Sequence, residues 1–424
     1  MALTTDQQNI AGMFNKFLHS DTHGEMLIEG FPGTGKSFLT KYLIKMINQS
    51  AQLRKLITGN STDDFKVFCT ATTNKAASVL KNLSNEPTET IHSLLKLKVS
   101  ENLATGTTSI KKNFNWRVLT NVLIIIDEYT YIDKHLLKLI RDSTHKCKIL
   151  YIGDSYQLIS VNDINNSVLS SVKLKGTLNE SVRFTKGTPI DLEAAKFRKT
   201  IDTGIFTPIT YDNKTIIHMN GSEFQTAIDK EFSKNTINSN KSKIIAWTND
   251  TVNDYNNYIR KTLNLSPIFN VGEKVITNKP IEAIGNSEGY NTENIVTIRK
   301  VLPDNLQGIK GINYSLGIGI NVFQALNQND VKIYLKELAK ECTKNKDWKI
   351  YFSTKRKFGD LRSIYACTVY KAQGSTYKNV YLNLSDIGRC NQPNTVARML
   401  HVAFTRASEK VICYGQLPRK YSGV

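Results

Sequence analysis

Gly30-Phe31-Pro32-Gly33-Thr34-Gly35-Lys36-Ser37 decides the reading of this chain. An apolar run, Met26-Leu27-Ile28, precedes it, and Leu39, Leu43 and Ile47 recur after it at helical spacing. Strand, Gly-rich loop, GKS and helix are the context that a phosphate-binding loop requires. Its glycines let backbone N–H groups converge on phosphate oxygens, and the helix N-terminus adds positive potential. Gly33, Thr34 and Gly35 are therefore expected to cradle a nucleoside triphosphate, Lys36 to reach the β/γ-phosphates, and the Ser37 hydroxyl to hold Mg²⁺.

Two further strand ends carry chemistry. Val122-Leu123-Ile124-Ile125-Ile126 runs into Asp127-Glu128, which places Asp127 in the Mg²⁺ shell and Glu128 one residue further on, to polarise the attacking water. Ile149-Leu150-Tyr151-Ile152 leads to Gly153-Asp154-Ser155-Tyr156-Gln157, where Gln157 is suited to sense the γ-phosphate. Val67-Phe68-Cys69-Thr70 delivers Thr73, Asn74 and Lys75 to the same sheet edge, either to touch a phosphate backbone or to cap a helix. Upstream, Thr5 or Asp6 is expected to cap a first helix, and Gln7 to offer a donor and an acceptor to an adenine edge.

The 424 residues carry a formal net charge of +19 and 40% apolar residues. That suffices for two to four domains with ordinary cores, and it favours a polyanionic partner, nucleic acid before membrane. No stretch has the length of a membrane span. Six scattered cysteines without CxxC pairs indicate a reducing, cytoplasmic compartment and argue against zinc. Residues 93–118 interleave Lys96, Lys98, Lys111, Lys112 and Arg117 with Phe114 and Trp116. This suits single-stranded nucleic acid through phosphate contact and base stacking, and reads as a hairpin-like insertion; the bland alternative is a solvated loop with two anchoring aromatics.

The ordered series Gln7, GFPGTGKS, ATTNKAA, TIHSLL, IIIDEYT and GDSYQL resembles superfamily 1 helicases. So do Leu178–Arg183, Ala246-Trp247-Thr248-Asn249, Thr368-Val369-Tyr370-Lys371-Ala372-Gln373-Gly374-Ser375 and Val402–Ala407. The KAQG wording is closest to the RecD-like branch with its small Dda-type phage members. The sequence departs from the usual pattern at Tyr370, where His is usual, and at Thr72, where Pro is usual. The resemblance implies an α/β fold of two RecA-like domains sharing one ATP pocket. It implies Arg183 and Arg406 as arginine fingers and Gln373 and Gly374 as further ATP contacts. It adds His92, Trp247, Asn249, Thr368, Tyr370 and Lys371 to Thr73, Asn74, Lys75, Phe114 and Trp116 as DNA contacts.

The expected division is a first RecA-like domain over 1–92 and 119–177, with the wedge-like insertion 93–118, and a second over 178–266 and 363–424. Residues 267–362, rich in Gly, Pro and alternating strands, form an accessory domain that by resemblance is SH3-like. The function implied is an ATP- and Mg²⁺-dependent DNA helicase moving 5′→3′ on single strands and opening forked duplex. The chain is expected to act as a monomer in the cytoplasm (the host's, if phage-encoded), off the membrane, with a single-strand-binding or replication protein as candidate partner. The rival readings are a single-strand-stimulated NTPase that remodels RNA or protein–nucleic acid complexes, and an NTP-driven conformational switch. A small-molecule kinase leaves the second α/β layer and the basic balance unexplained.

Overall fold

The computed structural model describes residues 3–58, 66–84, 86–102, 108–159, 169–180, 182, 187–233, 241–283 and 289–423. Two parallel sheets dominate it. The first has six strands in the order Leu174–Leu178, Glu25–Gly30, Lys148–Gly153, Val122–Asp127, Lys66–Ala71 and Thr88–Thr90. Every neighbouring pair is parallel. Helices cover both faces, so the strands are apolar at consecutive positions rather than alternate ones. Leu123 and Ile125 join the core under the helices Thr5–Leu18 and Lys36–Thr58, while Ile124 and Ile126 join the opposite core with Leu136 and Ile140.

The second sheet has five strands, Ile216–Met219, Ala407–Tyr414, Tyr377–Asn383, Ser242–Ala246 and Ala366–Thr368, again all parallel. It too is buried on both faces, with Ile245 and Leu382 on one side and Ile244 and Tyr381 on the other. This is the pair of α/β layers expected from the apolar runs.

Between the second sheet's strands lie two three-stranded antiparallel sheets. One is Ile295–Thr297, Lys274–Thr277 and Leu361–Arg362; the other is Lys300–Leu306, Ile309–Gly317 and Ile320–Ala325. They share a core that includes Val275, Val296, Tyr314 and Val322. Phe358, 2% exposed, is packed against Phe323 and Tyr334, and is core rather than surface. Two helices, Gln328–Asn345 and Lys349–Lys357, follow, and Trp348, Tyr351 and Phe352 pack on one another at their junction.

In the first half, Leu97–Glu101 pairs antiparallel with Thr108–Lys112 as a hairpin. Leu94 and Leu95 belong to the first domain's core, so the projecting lobe begins after them rather than at 93. Leu178 likewise pairs with Gly30 at the edge of the first sheet, and so stands with the first layer, not the second. Among the described residues no helix is long and apolar enough to cross a membrane.

Candidate nucleotide site and interdomain cleft

The phosphate loop follows the strand Glu25–Gly30 and ends where the helix Lys36–Thr58 begins. Gly33 and Gly35 have φ of 91° and 80°, left-handed conformations that side chains disfavour. A Cβ on Gly35 would also lie 2.6 Å from Gln7 Nε2. Thr34 is buried, and its hydroxyl donates to the Phe31 carbonyl at 2.9 Å. Lys36 Nζ donates to the carbonyls of Gly30 at 2.5 Å and Phe31 at 3.2 Å. Ser37 sits in the first turn beside it.

The first helix is capped by Thr4, not by Thr5 or Asp6. Gln7 completes a capping box: its Oε1 accepts from the Thr4 amide at 3.2 Å, and its Nε2 donates to the Thr34 carbonyl at 3.2 Å. Gln7 is 1% exposed, with both ends of its amide engaged inside the protein. Its visible work is to buttress the loop rather than to present an adenine-reading edge. Asp6 Oδ2 instead accepts from the amides of Asn179 and Glu180, at 2.7 and 3.3 Å. The next segment returns to the loop, where the Val182 amide donates to the Gly33 carbonyl at 2.7 Å. Arg183 lies outside the described residues.

Asp127 and Glu128 end the strand Val122–Asp127. Burial, then the neighbouring Glu128 charge, pushes the Asp127 carboxyl up to about 7, against the Glu128 amide and Lys36. Burial also pushes Glu128 up; Lys36, Arg406 and the Gln373 amide pull it back toward the ionised form. Glu128 has φ 55° and ψ 50°, the left-handed region. Its carbonyl accepts from the Thr72 hydroxyl at 2.8 Å, which holds this conformation from the neighbouring strand.

The second half meets this carboxylate directly. Gln373 Nε2 donates to Glu128 Oε2 at 3.4 Å, and the Tyr131 hydroxyl donates to Gln373 Oε1 at 2.7 Å. Gly374, at φ 75°, follows. A cleft of about 200 Å³ joins Glu128 and Gln373 to Thr73, Asn74, Lys75, Tyr370 and Lys371. Of the residues chosen from the sequence, Glu128, Gln373 and Gly374 thus share one interdomain cleft with Thr73, Asn74, Lys75, Tyr370 and Lys371.

A third contact between the halves is at the end of the strand Lys148–Gly153. Arg398, on the helix Pro393–Thr405, donates to the carbonyls of Ser155 at 2.5 Å and Gln157 at 2.7 Å. His401, on the same helix, is fully enclosed, 3.6 Å from Asp154. Burial holds this imidazole below its ordinary range. Gln157 is 2% exposed, and its Oε1 has no partner among the described residues. Arg398, His401 and Asp154 were not singled out by the sequence, because their pairing spans more than 240 residues.

Several expected strand contacts are already engaged. Thr73 Oγ1 caps the helix Asn74–Ser84 by accepting from Ala76 N at 3.2 Å. Lys75 Nζ crosses the cleft to the Lys371 carbonyl at 2.5 Å, and Lys371 pairs with Glu293 at 2.8 Å and with Asn278. The Thr368 hydroxyl caps the short helix bearing Lys371. Tyr370 and Trp247 are half-buried against the second domain's core. Asp386, 3% exposed, accepts from the amides of Trp247 and Thr248 at 2.6 and 2.8 Å, an organising carboxylate that no local motif flagged. Asn249 Oδ1 accepts from Arg362 at 2.7 Å. Burial lowers His92, which is half-buried.

Just past the hairpin's second strand, Phe114 is 88% exposed. Trp116 is not a tip: its indole N–H donates to Ser143 Oγ at 2.8 Å, and Lys112 stacks on its ring at 3.8 Å. Glu101 accepts from Arg356 of the helix Lys349–Lys357 at 2.8 Å, so the hairpin touches the accessory domain. Arg406 is 4% exposed and donates to the carbonyls of Val402 and Ser375 in its own half, both at 3.3 Å, while its charge still acts on Glu128.

Two parallel α/β halves that share one phosphate loop, with paired carboxylates under a glutamine from the other half, define an ATP-hydrolysing P-loop enzyme of two RecA-like domains. Family models match in both halves: an AAA domain over residues 18–163 and a UvrD-like helicase C-terminal domain over 363–414. The chain is 23% identical over 500 aligned residues to an uncharacterized protein of Acanthamoeba polyphaga mimivirus, covering 96% of this chain and 98% of that one. It is 26% identical over 292 residues to the ATP-dependent DNA helicase dda of Enterobacteria phage T4, covering 66% of this chain and 62% of that one. Its fold is similar to that of the Pif1 helicase from Bacteroides, whose structure is a complex with ADP-AlF3 and ssDNA. The TM-score there is 0.50 at 15% identity, covering 100% of this chain and 94% of that one. These likenesses, an AAA domain in one half, a UvrD-like helicase C-terminal domain in the other and a helicase relative, all point to an ATP-dependent helicase of superfamily 1 type.

Proposed function

We propose that this protein is a DNA translocase and helicase that moves 5′→3′ along a single strand and opens forked duplex ahead of it. The observation that carries the reading is the Tyr131–Gln373–Glu128 chain, which ties the hydrolytic carboxylate of one half to the motif of the other that lines the strand-facing cleft. Closing or opening the halves and reacting ATP are thereby one structural event.

In this reading bound triphosphate draws Lys36 off the Gly30 and Phe31 carbonyls onto its β/γ-oxygens. Glu128 accepts a proton from the attacking water. The new P–O bond forms on the γ-phosphorus as its bond to the bridging oxygen breaks, and Lys36 meets the charge left on ADP. Ser37 and Asp127 fit a magnesium ion: Asp127 is a half-buried carboxylate whose ionisation is opposed by desolvation and by Glu128, a cost that a bound cation offsets. When bound, the ion screens the phosphate charges. Arg406 contributes positive charge from the second half, Arg183 is by resemblance the other finger, and Gln157 senses the γ-phosphate through its amide N–H donors.

In this reading the two layers are RecA-like domains, the exposed Phe114, just past the base of the hairpin at Leu97 and Lys112, is the wedge, and the two small sheets at 267–362 are an SH3-like cover. DNA preference rests on the similarity to the Dda helicase, and polarity on the resemblance of the motifs to the RecD-like branch. The net charge of +19 accords with a strand held mainly through phosphates, so binding weakens steeply with salt. Lys36→Ala tests the reading. It retains single-strand binding and loses ATPase and unwinding; unwinding that survived the change would refute a motor powered from this loop. Forks with 5′ or 3′ tails, in DNA and in RNA, decide polarity and substrate.

A further inference from the structure

The halves also meet on the phosphate loop itself. Arg198, on the second half's helix Pro189–Thr203, sets its guanidinium carbon 4.2 Å from the centroid of the Phe31 ring. Phe31 is the second residue of the loop, and its carbonyl receives the Lys36 ammonium at 3.2 Å. A cation from one half thus stands over the nucleotide loop of the other, next to the residue that binds the phosphate lysine.

The support behind Arg198 is rigid. Phe197 packs edge-on against Phe404 of the helix Pro393–Thr405, with ring centroids 4.9 Å apart. That helix is in turn fixed by Arg398 to the Ser155 and Gln157 carbonyls. Arg198 is half-buried, and its guanidinium donates no hydrogen bond to a described residue. Burial opposes its charge, and the carboxylates of Asp154, Asp191 and Asp202 favour it. Arginine stacks on aromatic faces and presents a planar fork that matches phosphate oxygens, so a ring is a natural resting place for a guanidinium whose other ligand is a phosphate.

We infer that Arg198 is a further residue of the hydrolysis site, a cation supplied by the second half to the terminal phosphates of bound ATP and stored on the Phe31 ring. The inference rests on the proposed ATP-driven motor and adds a contact to it. Arg406 donates to the Val402 and Ser375 carbonyls of its own half, whereas Arg198 already lies on the loop where the triphosphate binds.

Full-length Arg198→Ala and Arg198→Met are compared with the parent in ATPase assays with Mg²⁺ and saturating oligo-dT. The Met variant keeps an apolar stem on Phe31 and guards against a packing defect. Both are expected to lose about tenfold or more in kcat, with KM for ATP within about threefold. Single-strand affinity is unchanged, and retention of ADP–aluminium fluoride is lost. Guanidinium chloride below denaturing concentration raises the turnover of Arg198→Ala, a rescue that a purely structural role would not show. Variants within about twofold of the parent, or a lowered turnover that guanidinium leaves unmoved, overturn the assignment. A parent without ATP turnover would instead sink the motor on which it rests.

Discussion

Removing one hydroxyl, Tyr131→Phe, isolates the link between the halves. The Tyr131 O–H donates to Gln373 Oε1 at 2.7 Å, and Gln373 is 6% exposed, so water does not readily replace the donor. Leaving a buried acceptor unpartnered costs about 1–3 kcal/mol. At the lower end, about 1.4 kcal/mol, the closed arrangement loses tenfold in population. Gln373 then holds Glu128 through a 3.4 Å contact alone. The expected result is a fall of about tenfold in strand-stimulated kcat, with nucleotide and single-strand affinity little altered. Because Tyr131 acts through Gln373, the double variant Tyr131→Phe/Gln373→Ala should be no worse than Gln373→Ala alone. The assay is a double-mutant cycle on kcat. Two penalties that simply add, or a Tyr131→Phe enzyme equal to the parent, would refute the coupling.

Three further variants, one at the same site and two beside the hairpin, have defined outcomes. Asp127 is raised by burial to about 7 from an ordinary 3.8, so its ionisation opposes folding. That penalty is absent at pH 4, grows as pH rises through the interval between the two values, and is full above 7. Without divalent cations, Asp127→Asn should therefore be more stable than the parent at pH 8, by about 1–2 kcal/mol, with the difference closing at pH 4. It should also be inactive, and a variant less stable at pH 8 would contradict the sign. Phe114→Ala should leave stability within about 0.5 kcal/mol and ATPase intact while slowing fork opening. Trp116→Ala, which loses its Ser143 and Lys112 contacts, should cost about 1–2 kcal/mol by thermal melting.

The architecture was readable because buried parallel strands are locally unambiguous. Val122–Ile126 has no polar position and Ile149–Ile152 only the Tyr151 hydroxyl, and each run leads into side chains that chemistry needs. The glycines at 33 and 35 announced their own backbone. Hidden from the sequence were choices among competing local partners. Thr4 rather than Thr5 caps the first helix, because Gln7 reaches back to close the box and Asp6 is drawn to amides more than 170 residues away. Lys75 and Lys371 looked like free cations, but a carbonyl and Glu293 meet them across the fold. Arg198 on Phe31, Arg398 on the Gln157 loop and Asp386 beneath Trp247 carry no periodic signature, since each joins segments distant in the chain. Trp116 and Phe114, two residues apart, read alike as aromatics among bases, and only the fold separates the anchored ring from the free one.

The left-handed backbone at Glu128 has an evolutionary and practical corollary. A carboxylate residue there costs on the order of 1 kcal/mol of conformational energy that glycine would not incur. Glu128→Gly removes both that strain and the buried charge, so it should yield a sturdier protein that turns over no ATP. Screening libraries of this chain for heat resistance alone would enrich such dead molecules, and any search for a hardier motor must select on turnover in the same round.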